Sequence, residues 1–152
     1  MRVVGVDAGA RRIGLAISDP TATLARPLGS VMVAALDDTA VARVRAEVER
    51  LGAEEDGVAA IVVGLPRRLN GQPTDMTSTV QAFADRLGHA CGLPVILQDE
   101  RLSSHEAEAL LAERIKDWRE RKRALDAASA AVILQDYLDT RPPASVPEEY
   151  DA

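Results

Sequence analysis

The chain has a single cysteine, Cys91, which leaves nothing from which to build a disulfide framework. It has no apolar run of transmembrane length, and no basic-then-apolar leader precedes Val3. These absences set the expectation of a cytoplasmic protein with no membrane partner. Positive charge is in deficit too: 18 Lys and Arg stand against 24 Asp and Glu, a net charge of −6. That balance argues against broad, nonspecific binding to nucleic acid. No internal repeat is visible. Tryptophan occurs once, as Trp118, and a lone tryptophan anchors a hydrophobic contact as often as it stacks on a base.

What is present fits one compact α/β domain, with 152 residues, 47% of them hydrophobic and 28% charged. The charge is unevenly placed. Arg114, Lys116, Arg119, Arg121, Lys122 and Arg123 put six cations within ten residues, a density that favours an anionic partner over a merely solvated face.

Periodicity predicts strands near residues 2–7, 12–18 and 30–34, the first two close enough to pair as a hairpin. Asp37 or Asp38 can cap a helix whose apolar positions Val41, Val44, Val48 and Leu51 recur at helical spacing before Gly52. Residues 58–63 form a continuous apolar run stopped by Gly64-Leu65-Pro66, as in a strand covered on both faces. A basic, turn-rich loop over 67–73 leads to a helix carrying Val80, Phe83, Ala84 and Leu87 on one side. Residues 94–97 read as another buried strand. Ser103 and Glu106 form a capping box for a helix to about residue 112, with His105 inside it as an ordinary surface residue, and the basic run then interrupts the pattern. Residues 124–138 predict a buried final helix, and residues 141–152 a loose, acidic, Pro-containing tail. His89 and Cys91 read as structural. This order of elements implies a mixed sheet with helices on both faces.

Four acids stand where the pattern calls for something else: Asp7 ending the first strand, Asp99 and Glu100 ending the last, and Asp126 in the buried helix. Alternation puts Asp7 on the face of Val3 and Gly5, where a charge needs either a cation or backbone N–H groups across the turn. Strand ends are where residues distant in sequence share a site. Of the neighbours Asp99 and Glu100, one can point inward; the longer stem favours Glu100. Asp126 heads a stripe with Ala130, Ile133 and Tyr137, so it faces the sheet rather than serving as a cap or as a surface partner of Lys122. Two carboxylates at about 4 Å repel by roughly 4 kcal/mol at an effective dielectric near 20. Three therefore call for Mg²⁺ or Mn²⁺, hard ions that take oxygen ligands and keep positions open. Two such ions about 3.5–4 Å apart can activate a water and stabilise the departing oxygen of a displacement at phosphorus.

Val4-Gly5-Val6-Asp7 with Arg11-Arg12-Ile13-Gly14-Leu15-Ala16, Val62-Val63-Gly64-Leu65-Pro66 with Asn70-Gly71, Asp99-Glu100-Arg101-Leu102-Ser103, and Asp126-Ala127-Ala128-Ser129-Ala130-Ala131 with Ile133-Leu134-Gln135 together resemble the YqgF/RuvX family. The match runs in order from residue 2 to about residue 139. It implies a ribonuclease H-like three-layer fold, a mixed five-stranded sheet flanked by helices, over residues 1–140. It also implies a nuclease related to Holliday-junction resolvases that trims the 5′ end of the pre-16S rRNA, and hence pre-ribosomal particles as partners. By motif, Asp7, Glu100 and Asp126 take the family's catalytic, metal-binding positions, with Mg²⁺ or Mn²⁺ as cofactor. Ala8 stands where an aromatic residue is usual and Ala10 where a polar one is common, which affects only how the first turn meets substrate.

Arg11, Arg12, Arg67 and Arg68 fall on loops near the strand ends and can hold backbone phosphates, and Lys122 can clamp flanking nucleic acid. RNA and DNA both remain open as substrates, as do monomer and homodimer. The Asp-x-Gly hairpin also resembles the phosphate loop of actin-like ATPases, but those enclose ATP between two such domains and no second hairpin exists here. A noncatalytic RNA-binding assembly factor is a third reading, opposed by carboxylates that repel phosphate unless a metal intervenes.

Overall fold

The computed structural model describes residues 1–100 and 117–140. Strands β1 (Arg2–Ala8) and β2 (Arg12–Ser18) form the expected antiparallel hairpin, closed where the Gly9 N–H donates to the Arg12 carbonyl at 2.9 Å. β3 (Ala25–Met32) pairs antiparallel with β2 and starts five residues ahead of the strand expected over 30–34. The Asp19 carboxylate explains the early start: it accepts the Thr23 and Leu24 backbone N–H groups at 2.7 and 2.8 Å and turns the chain at once. Pro27 is tolerated inside β3 because that strand is a sheet edge.

Helix α1 (Asp38–Gly52) is capped by Asp37, whose carboxylate accepts the Ala40 N–H at 3.0 Å, and it buries Val41, Val44, Val48 and Leu51. β4 (Val58–Leu65) runs parallel to β1 and is buried from Ile61 onward. Helix α2 (Thr77–Cys91) buries Val80, Phe83, Ala84 and Leu87 as its spacing predicts. β5 (Val95–Asp99), expected to be buried, is instead half-exposed, because it forms the other end of the sheet order β3-β2-β1-β4-β5.

The last described helix, α3 (Trp118–Thr140), begins six residues before the expected start at 124. Asp117 accepts the Arg119 N–H at 2.9 Å and so supplies the start signal, and the Arg and Lys residues that follow are good helix formers. The capping box at Ser103, His105, the first part of the basic run and the tail over 141–152 lie outside the described residues. Two cores sandwich the sheet: α1 and α2 pack on one face around Ile13, Ile61 and Phe83, and α3 packs on the other around Ala16, Val62, Ile133 and Leu134. No described helix is long and apolar enough to cross a membrane.

Candidate active site

Asp7 is the penultimate residue of β1, partly buried and opposite Gly14 of β2. It alternates with Val3 and Gly5 onto the α3 face, where Val3 joins the α3-side core and a Cβ at Gly5 would lie 2.8 Å from Leu134 Cβ. The acid therefore points toward the helix that carries Asp126.

Glu100 follows β5 directly, and its N–H donates to the Leu65 carbonyl at 3.3 Å, which extends the strand pairing by one residue. Alternation then sets Glu100 on the side of Ile96, which packs in the α3-side core, and leaves Asp99 exposed. The Glu100 carboxyl crosses β4 above Gly64, where a Cβ would stand 2.5 Å from Oε2. Only glycine leaves that path open. The side chain reaches Asp7 and the two carboxyl groups hydrogen-bond each other, which two ionised carboxylates cannot do without a proton. Burial, then the charge of Asp7, pushes the Glu100 carboxyl up to about 9. Burial also raises Asp7, with Glu100's hydrogen bond opposing and the charge of Asp126 adding to the rise.

Asp126 is placed by a close approach of α3 to β2. A Cβ at Gly14 would fall 1.9 Å from the Asp126 carbonyl oxygen, so the helix backbone rests directly on β2 there. Its carboxylate accepts from Arg12 Nε at 2.8 Å, with the Arg12 and Asp126 side chains 34% and 16% exposed. Burial raises the Asp126 pKa, and the charges of Arg12 and Lys122 oppose the rise.

The structure thus joins Asp7 to Glu100 and holds Asp126 within electrostatic range of Asp7, while Asp126 itself is turned to Arg12. Among the described residues, no three His, Cys, Asp or Glu side chains stand together as a finished metal cage. A proton between two of the acids and a guanidinium on the third lessen the repulsion that bare carboxylates would suffer. The donor set, all hard oxygen and all with raised pKa, fits Mg²⁺ or Mn²⁺.

The basic residues line the same end of the sheet, where β1, β4 and β5 finish. Arg11 is exposed in the β1–β2 turn. Arg67 and Arg68, exposed in the loop after β4, donate to the Gly71 and Pro73 carbonyls of that loop at 3.2 and 3.3 Å, which stiffens it while using only part of each guanidinium. Lys122 is exposed one turn before Asp126 on α3. Sequence reasoning missed the Arg12–Asp126 pair and the two close-approach glycines. A glycine inside a strand pattern signals such an approach, and Gly14 carries it, whereas Gly64 reads as the stop of its strand; nothing signals a pair 114 residues apart.

A family model described as "RuvX: Holliday junction resolvase" matches residues 1–140. A "Putative pre-16S rRNA nuclease" of Anaeromyxobacter sp. (strain K) is 43% identical over 94% of this chain and 100% of its own length. One of the same description from Pelotomaculum thermopropionicum is 38% identical over 93% of this chain and 88% of its own. Among solved structures, Thermus thermophilus RuvC with a Holliday junction substrate superposes with a TM-score of 0.53 at 19% identity, covering 91% of this chain and 94% of that one. The fowlpox virus resolvase with Holliday junction DNA gives 0.58 at 13% identity, covering 92% and 98%. The fold is therefore ribonuclease H-like, as in these resolvases.

Proposed function

We propose, because this chain belongs to the RuvX family, that it is a divalent-metal-dependent nuclease that hydrolyses phosphodiester bonds at the 5′ end of pre-16S rRNA. The observation that carries the reading is the contact of two acids remote in sequence, Asp7 against Glu100, with a third, Asp126, in electrostatic range. Asp7, Glu100 and Asp126 are the residues that would hold Mg²⁺ or Mn²⁺. When bound, such an ion polarises a phosphoryl oxygen and lowers the pKa of water. The chain's own residues do the rest. Arg11, Arg67 and Arg68 hold backbone phosphates at the strand ends, and Lys122 contacts flanking nucleic acid. The proton between Asp7 and Glu100 would pass to solvent, its place taken by an ion held there. A pre-rRNA substrate places the protein in the cytoplasm, with pre-ribosomal particles as its partners.

The test is cleavage of end-labelled RNA spanning the 5′ end of the small-subunit rRNA precursor, beside single-stranded DNA and a four-way DNA junction, each in Mn²⁺ and in EDTA. Mn²⁺-dependent cuts in the RNA support the proposal. Cuts confined to the junction reassign the substrate, and no Mn²⁺-dependent cut in any of them removes the nuclease reading.

The shared proton has a pH signature. Native Glu100 keeps its proton up to about 9, whereas the unfolded chain releases it near the ordinary value of 4.5. Across that window the folded state binds more protons, so the stability of the metal-free protein falls as pH rises. Mg²⁺ displaces the proton and binds more tightly at higher pH. Melting temperatures in EDTA are therefore expected to decline from about pH 5 to about pH 9, saturating Mg²⁺ to flatten the decline, and Glu100→Gln to make it shallower. A wild-type curve as flat in EDTA as that of Glu100→Gln contradicts the shared proton.

A further inference from the structure

We infer that Arg12 is a phosphate-released latch on Asp126. In the free protein its guanidinium stands beside Asp126 in the role of a cation, and a phosphodiester draws it off, so that Asp126 becomes a full ion ligand only with nucleic acid at the site. The inference rests on the metal reading above and adds to it a coupling between substrate and ion.

The geometry is specific. Arg12 opens β2 beneath the turn of α3 that Gly14 lets down onto the sheet, and its Nε meets Asp126 Oδ2 at 2.8 Å. Asp126 is mostly buried, so its charge needs a compensating cation. A guanidinium satisfies that need, and so does a divalent ion. Both together on one carboxylate repel each other, so the two states compete.

Arg12 also has somewhere else to go. Its side chain is one-third exposed, and it lies next to Arg11 at the same end of the sheet as the loop of Arg67 and Arg68. Only Nε is engaged by Asp126; among the described residues, neither Nη group is hydrogen-bonded. Guanidinium pairs with phosphate through parallel N–H donors. Exchanging one anion for another keeps the arginine paired throughout and leaves the carboxylate for the ion. Lys122 faces Asp126 electrostatically as well, from the same helix, and it serves as the control for charge alone.

The test is Mn²⁺ affinity, read from the EPR signal of free Mn²⁺, with no nucleic acid present. Arg12→Gln is expected to bind Mn²⁺ about tenfold more tightly than wild type, Arg12→Lys to stay within about threefold of wild type, and Lys122→Gln within about twofold. Millimolar dimethyl phosphate, a phosphodiester that is not cleaved, is expected to shift wild type toward the Arg12→Gln affinity and to leave Arg12→Gln unchanged. Equal affinities for wild type and Arg12→Gln overturn the latch. So does an equal gain in Lys122→Gln, which reduces the effect to bulk charge, or an equal response of Arg12→Gln to dimethyl phosphate. If Arg12→Gln does not fold, the wild-type and Arg12→Lys responses to dimethyl phosphate decide, and a wild type that does not respond overturns the latch. Affinities that behave as stated without cleavage of any nucleic acid keep the latch and remove the nuclease reading. Absence of Mn²⁺ binding by wild type and Arg12→Gln alike removes both.

Discussion

Asp7→Asn is expected to lower Mn²⁺-dependent cleavage by about three orders of magnitude while the metal-free protein melts at or above the wild-type temperature. The two halves have one cause. Asp7 is held with a raised pKa between Glu100 and Asp126, so its negative charge is a cost to the folded chain when no ion is present. The neutral amide has the same shape, removes the cost of burying a charge, together with the lesser repulsion from Asp126, and still accepts a hydrogen bond from Glu100. What it cannot do is contribute charge to a divalent ion, whose stabilisation of the transition state is worth several kcal/mol; about 4 kcal/mol corresponds to about 10³ in rate. Cleavage assays and thermal unfolding of one preparation check both halves. The variant should also lose most of the rise in melting temperature that Mg²⁺ gives wild type. Cleavage within about tenfold of wild type removes Asp7 from the site.

Gly14→Ala is expected to have the opposite signature, a large loss of stability at a position with no chemistry of its own. The added methyl would fall 1.9 Å from the Asp126 carbonyl oxygen, 2.4 Å from its carbonyl carbon and 3.1 Å from the Ala127 nitrogen. These are helix backbone atoms, so no side-chain rotation relieves the clash and α3 must lift from β2. Overpacking of this severity costs about 3 kcal/mol or more, which lowers the melting temperature of a chain this size by about 10 °C. Because the same displacement carries Asp126 away from Asp7, activity should fall even at temperatures where the variant is folded. Thermal unfolding followed by circular dichroism, with cleavage measured well below the midpoint, separates the two effects. A wild-type midpoint contradicts the close approach of α3 and β2.

Sequence reasoning located most of the fold because local signals agreed with tertiary position. The capping Asp37, the Val41–Val44–Val48–Leu51 face and the Val80–Phe83–Ala84–Leu87 face each carried their burial in their spacing. The preference for Glu100 over Asp99 at the inward position matches the observed contact with Asp7, because strand alternation continues one residue past β5. Asp126 was legible as sheet-facing from its stripe, and the buried Ala130 and Ile133 share that stripe. What escaped was long-range or marginal. The early start of β3 depends on how Asp19 folds its own turn, and that of α3 on Asp117 acting ahead of a basic run that reads as an interruption. β5 is apolar in composition yet lies at the end of the sheet, and strand order is not written in any local pattern. Arg12 looked like a phosphate ligand alone, because its partner is brought to it only by the docking of α3.

The most direct measurement is a crystal of the protein soaked in Mn²⁺ together with dimethyl phosphate and examined for anomalous scattering at the manganese edge. The account predicts a peak bonded to oxygens of Asp7, Glu100 and Asp126, with the Asp7–Glu100 hydrogen bond gone and Arg12 swung off Asp126. A saturating soak in which manganese lodges elsewhere, with those three carboxylates keeping their present partners, would contradict it.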